Sequence, residues 1–160
     1  MMDRRDAIRH MAFTGISALF LSRSAFSQSG EQAQQDPWPT DALLGPGTLR
    51  DLIAGGDAPA IFCVGFPSLF REKHIPGAKL AGPTSKPEGI RELLRMTKAV
   101  NGSQIVLYCG CCPLKDCPNI RPAYEALAKH KMQGVQVLNL PHNFHTDWVA
   151  KGYPVQSDAS

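Results

Sequence analysis

The sequence predicts an α/β domain with a central, mainly parallel sheet and helices on both faces. Three observations carry this reading. Short apolar runs bounded by turn residues, at 60–64, 104–108 and 135–138, read as buried strands. Segments with one apolar helical face separate them, and that alternation is what a parallel sheet requires. The chain has 160 residues, 43% hydrophobic and 19% charged, which is the size and composition of one globular domain.

The chain opens on a predicted targeting segment, residues 1–27. Arg4, Arg5 and Arg9 give a positive start, and residues 11–21 form an apolar run. Ala25 and Ser27 supply the small residues of a cleavage site, placed after Ser27. The apolar run falls short of the ~20 residues that a spanning helix needs, so the segment reads as a signal and not as an anchor. Arg4-Arg5-Asp6-Ala7-Ile8-Arg9 resembles a twin-arginine export signal, and Arg23 close to the cleavage site suits that folded-protein route. The mature chain is therefore expected in the periplasm or otherwise exported, with no membrane attachment after cleavage. The formal net charge is +3, and much of it belongs to the leader arginines. No Lys/Arg stripe interleaved with aromatics follows, so nucleic acid is not an expected partner.

Residues 28–44 read as a linker, polar at first and holding Pro37 and Pro39, and residues 45–156 as the domain. Leu49, Leu52 and Ile53 give residues 48–54 a short helix, ended by Gly55-Gly56. Residues 60–64 are the first strand, and Cys63 within it reads as a core thiol. Arg71 and Glu72 read as solvated charges. Ser85, Pro87 and Glu88 form a helix start, with Ser85 as N-cap and Glu88 completing a capping box. Ile90, Leu93, Leu94 and Thr97 then share one face. Residues 104–108 are the second strand. Residues 120–132 are helical, with Asn119 as cap, and residues 135–138 form the third strand after Gly134. Residues 145–151 are a closing helix stopped by Gly152 and Pro154. Ligands of such sheets bind outside the carboxyl ends of the strands, where the second strand delivers Cys109.

Several strings now line up: His74-Ile75-Pro76-Gly77-Ala78, then Ile105-Val106-Leu107-Tyr108-Cys109, a helix, Gly134, Val135-Gln136-Val137-Leu138, and Trp148 with Gly152-Tyr153-Pro154-Val155. In order and spacing they resemble the rhodanese family over roughly residues 45–156. The resemblance implies a rhodanese-like fold and sulfurtransferase activity, with a persulfide on Cys109. A cysteine in a loop that leads into a helix faces backbone N–H groups, which suit an anionic sulfur. Lys115 and Arg121 are nearby cations able to attract an anionic donor such as thiosulfate. The partners implied are a small anionic sulfur donor and a thiol acceptor, and such transfer requires no cofactor.

The chain also departs from the family. The loop from Cys109 to Asn119 is longer than the usual six residues, and the distance from Cys117 to Gly134 would suit Cys117 as the loop cysteine. Cys109 is preferred because Tyr108 ends the strand directly before it. Pro118 lacks an N–H, which weakens Cys117 as a cradled anion but leaves it a resolving partner. Cys63-Val64-Gly65-Phe66 stands where an Asp and an Arg are usual, and Lys73 replaces the glycine before the histidine. The paired glycines before the tryptophan are missing from residues 140–144.

Cys109, Cys111, Cys112 and Cys117 crowd four of the five cysteines into one loop. Three readings stay open. Cys109 or Cys111 pairs with Cys117 in a structural disulfide, as an oxidising compartment allows. Or Cys109 carries sulfur and a neighbour such as Cys117 resolves it. Or the loop holds a soft metal ion, copper(I), zinc or an iron–sulfur cluster, with Cys111 and Cys112 among the ligands. His74 reads as part of a structural turn. His142 and His145 fall where the loop after the last strand approaches the cysteines, as surface residues, ligands or proton shuttles. Trp148 reads as a core anchor.

Replacing both Arg4 and Arg5 by Lys is expected to leave precursor in the cytoplasm. Fractionation of cells expressing that variant checks this, and undiminished export would exclude the twin-arginine route.

Overall fold

The computed structural model describes residues 38–100 and 104–158. The predicted leader, and the linker as far as residue 37, lie outside the described residues. Five strands form one sheet: β1 (Leu43–Leu44), β2 (Ala60–Cys63), β3 (Lys79–Leu80), β4 (Ile105–Tyr108) and β5 (Val135–Leu138). Their order is β1-β5-β4-β2-β3, and every neighbouring pair is parallel. β4 lies at the centre, as its uninterrupted apolar sequence requires: strands covered on both faces read as continuous hydrophobic runs.

Side chains alternate across the sheet and divide the core in two. Ile61, Cys63, Val106, Tyr108 and Leu138 face one side, with Leu49 of α1 (Pro46–Gly55), Phe70 of α2 (Pro67–Glu72) and Trp148. Phe62, Val64, Ile105, Leu107 and Val137 face the other. There they meet Leu93 of α3 (Pro87–Thr97) and Ile120, Ala123 and Leu127 of α4 (Ile120–Lys129). Helices thus cover both faces, as the sequence predicts.

Several boundaries differ from the sequence expectation. Residues 40–44, assigned to the linker, belong to the fold: Thr40–Ala42 form a 3-10 turn and β1 extends the sheet beside β5. The prolines before them obscured an apolar Ala42-Leu43-Leu44 edge. Helix α2 escaped the sequence reading because six residues are too few to display a helical period. At α3 the N-cap is Lys86, not Ser85, and no side chain caps the helix. Glu88 turns outward to Arg91 at 3.1 Å, so the expected capping box does not form. Asn119 occupies the N-cap position of α4 but its side chain makes no cap bond there. The closing helix divides into α5 (Phe144–Asp147) and a 3-10 turn, Val149–Lys151, with a break at Trp148. The C-terminal segment returns to pair His74 with Gln156, and Asp158 N–H donates to Arg71 O at 2.9 Å, so the fold runs past residue 156. His74 is buried, stacked on Phe70, with Nδ1 2.8 Å from Phe70 O, the structural role its motif suggests. Among the described residues no helix is long and apolar enough to cross a membrane.

Two buried groups anchor the end of the chain. Trp148 is fully buried and its Nε1 donates to Pro154 O at 2.8 Å. Asp147 is buried too; its Oδ2 accepts the N–H groups of His142 (2.7 Å) and Asn143 (3.1 Å), and His142 Nδ1 lies 3.0 Å from Oδ1. Burial alone would raise the Asp147 carboxyl, but the hydrogen bonds from His142 and Asn143 outweigh it and hold the carboxyl below its ordinary value.

Trp148→Ala is expected to lose about 3–5 kcal/mol of stability, measured by denaturant unfolding. Asp147→Asn is expected to cost stability at neutral pH. A carboxyl lowered by folding stabilises above its unfolded value, near ~3.9, and loses that contribution as pH falls through the folded value. The gap between Asp147→Asn and the parent chain should therefore close in the acid range; a constant gap in urea titrations would count against the role given to Asp147.

Candidate functional site

Cys109 continues the β4 alternation and falls on the side of Ile105 and Leu107, over α3 and α4. Two glycines make room for it. A Cβ on Gly65, at the end of β2, would lie 2.6 Å from Cys109 O and 3.2 Å from its Sγ, so only glycine lets β2 close against the site. Gly110 turns the chain with φ +88, and a Cβ there would stand 2.9 Å from Phe144 Cβ. The loop is pinned to the segment after β5: Phe144 N–H donates to Gly110 O (3.1 Å), and Leu114 N–H to Leu140 O (3.0 Å). A 3-10 turn, Leu114–Asp116, then carries the chain back, so that buried Cys117 returns beside Cys109.

All five cysteines are free thiols. Cys109 Sγ lies 3.3 Å from Cys111 Sγ, and Cys111 Sγ lies 3.2 Å from Cys112 Sγ, well beyond the ~2.05 Å of a disulfide. The sulfurs of Cys109, Cys112 and Cys117 all lie within 4.8 Å of one another. The neighbours of Cys109 are held as thiols. The Cys117 thiol is raised first by hydrogen bonding to Cys109 and then by burial, and the N–H groups of Asn119 and Ile120 oppose this without reversing it. Burial pushes Cys111 up to about 11 and raises Cys112 as well. Cys63, on the other face of the sheet, is pushed by burial to about 11, in keeping with a core thiol.

Asn119 was read from sequence as a helix cap, and its part in the site went unseen. It is fully buried, and its Nδ2 donates to Cys109 Sγ at 3.4 Å. Its Oδ1 accepts Ser85 N–H at 3.0 Å, and its main-chain carbonyl accepts the Thr84 hydroxyl. The main-chain N–H groups of Asn119 and Ile120, at the start of α4, reach Cys117. The expectation that Pro118 would deprive Cys117 of such donors fails, because the next two residues supply them.

A cavity of about 100 Å³ lies on the Cys63 face of the sheet and reaches Cys109 and Gly110 at the strand ends; Phe70, Phe144, Glu72, Lys73 and His145 are among its walls. Lys115 and Arg121, expected from sequence to attract the donor, are not among its lining residues. The Lys115 side chain is 82% exposed, 3.9 Å from Asp116. The Arg121 guanidinium stacks 4.0 Å over the Trp38 ring. Lys73 and His145 are the basic residues on the cavity instead; Lys73 was signalled only as a replacement beside the His74 motif. His142 does not line the cavity and serves Asp147.

No protein-family model matches the chain, and no curated protein matches it significantly. Solved structures do. A crystal structure of a Bacillus halodurans protein superposes with a TM-score of 0.55 and 20% identity, over 74% of this chain and 78% of that one. The solution structure of the rhodanese-like domain of an Anabaena protein superposes with a TM-score of 0.50 and 17% identity, over 72% of this chain and 79% of that one. The parallel five-stranded sheet, helices on both faces, a cysteine at the carboxyl end of its central strand and these superpositions lead to one conclusion: the chain has the rhodanese-like fold.

Proposed function

We propose that this is an exported sulfurtransferase that carries a persulfide on Cys109. One observation bears most of the weight: Cys109 stands at the end of the central strand, with the Asn119 amide donating to its sulfur. An amide N–H suits an anionic sulfur, whether thiolate or persulfide. The Cys109 thiolate attacks the outer sulfur of thiosulfate, the new S–S bond forms as the old one breaks, and sulfite leaves with the electron pair. The terminal persulfide sulfur then passes to a thiolate acceptor, or to cyanide as thiocyanate, and Cys109 is regenerated as thiolate.

Lys73 and His145 take the donor-attracting role first given to Lys115 and Arg121, because they line the cavity. Cys117 acts second. Its raised thiol makes it a poor first nucleophile, but once deprotonated it can attack the inner sulfur of the persulfide, forming a Cys109–Cys117 disulfide and releasing hydrosulfide. The leader motif supports export, and on this reading the reaction runs in the periplasm.

Cys109→Ser is expected to abolish persulfide formation from thiosulfate, read by intact mass and by cyanide-dependent thiocyanate release. Cys117→Ser is expected to keep it and to lengthen the persulfide's life. If Cys109→Ser still accepts sulfur and Cys117→Ser does not, the assignment is reversed.

A further inference from the structure

Sulfur transfer uses two of the four loop thiols and leaves the placement of Cys112 unexplained. Cys112 is separated from Cys117 by a turn of chain, yet its sulfur closes a triangle with Cys109 and Cys117 in which no pair is more than 4.8 Å apart. Three thiolates around one metal at about 2.3 Å stand roughly 4 Å apart. The triangle needs to contract by less than 1 Å to reach that geometry, well within what rotation about a cysteine χ1 supplies.

We propose that Cys109, Cys112 and Cys117 form a three-coordinate site for copper(I). Thiolates are soft ligands that select copper(I) or zinc over harder cations. The surroundings separate those two metals. Zinc completes four ligands, and here the fourth would have to be a water or Cys111, whose sulfur touches Cys109 and Cys112 but lies outside the triangle. The space against the triangle measures about 10 Å³ and is walled by Leu114, Ile120, Leu138 and Leu140. A water needs about 10–15 Å³ and two or more polar partners, and these walls offer apolar side chains. Copper(I) is satisfied by three thiolates and needs neither. The apolar walls also shield the ion from oxidant and solvent.

Charge is accommodated as well. Each ligating thiol releases its proton to buffer, and the ion enters and remains as copper(I), so no electron is transferred. Three thiolates and one such ion carry two net negative charges. The first N–H groups of the ten-residue helix α4 face Cys117, and Asn119 Nδ2 faces Cys109, which sets donors against that charge. Cys111, named from sequence as a ligand, lies outside the triangle, against Cys109 and Cys112. Its side chain is placed to exchange with a ligand while the ion enters or leaves.

The test uses the reduced full chain loaded anaerobically with copper(I) and challenged with a copper(I)-specific chelator. One ion per chain is expected to be retained, with a thiolate-to-copper charge-transfer band in the ultraviolet. Cys112→Ser and Cys117→Ser should each weaken retention by about a hundredfold or more, beyond the cost of losing even an outer-shell partner, while Cys111→Ser retains the ion. Circular dichroism and tryptophan fluorescence establish that each variant is folded. Equal loss in Cys111→Ser, or zinc held in preference to copper(I) in direct competition, would overturn the three-coordinate site. The inference stands apart from sulfur transfer, because retention is read without turnover. A chain that makes thiocyanate yet surrenders its copper overturns this proposal alone; one that keeps copper and makes no thiocyanate supports it and sinks the persulfide reading alone.

Discussion

A buried amide without partners costs several kcal/mol, so wherever a protein buries one, the groups around it must come to meet it. Asn119 imposes that constraint here. Its three polar groups reach Cys109 on the loop after β4, and Ser85 and Thr84 on the approach to α3. One residue therefore ties the sulfur, the start of α4 and the connection from β3 to α3 into a single arrangement. The register of α4 against β4 follows from it, and so does the depth at which Cys109 sits. Removing the amide would leave the buried Cys109 sulfur without this donor and Ser85 N–H without this acceptor.

The longer loop changes which sulfur receives which donor. In a short loop the turn into the helix would bring main-chain N–H groups onto the first cysteine. Here the 3-10 turn inserts Leu114–Asp116, and the helix start meets Cys117. At Cys109 the donor is the side-chain amide of Asn119. The extra residues bring three thiols, Cys111, Cys112 and Cys117, around Cys109.

Much of the scaffold was legible in the residues. β4 reads as central because it has no polar position, and Val135–Leu138 reads as a strand because Gly134 isolates it. Trp148 and His74 announce themselves by size and by motif. What remained hidden had physical reasons. Two-residue strands and a six-residue helix carry too little pattern to show a period. Ser85 and Glu88 match a capping box in type, but main-chain bonding of Ser85 to Asn119 places it outside the helix. Lys115 and Arg121 fit the chemistry of an anion site, and the sequence carries no sign that Arg121 stacks on Trp38. The role of Asn119 could not be read, since asparagine before a helix has an ordinary explanation and its partner Ser85 lies far off in sequence.

The sheet ends in its two shortest strands, Leu43–Leu44 and Lys79–Leu80. An exposed strand edge is a template on which another chain can stack, and its danger grows with the number of unpaired N–H and C=O groups in register. Each border here presents two residues, and exposed Lys79 places a charge on one of them. A stacking copy would gain a rung or two of ladder and would bury an ammonium in return. The molecule can therefore keep a strongly apolar sheet at its centre without advertising it to its neighbours, a resistance to self-association that comes from how briefly the chain touches the borders of its own sheet.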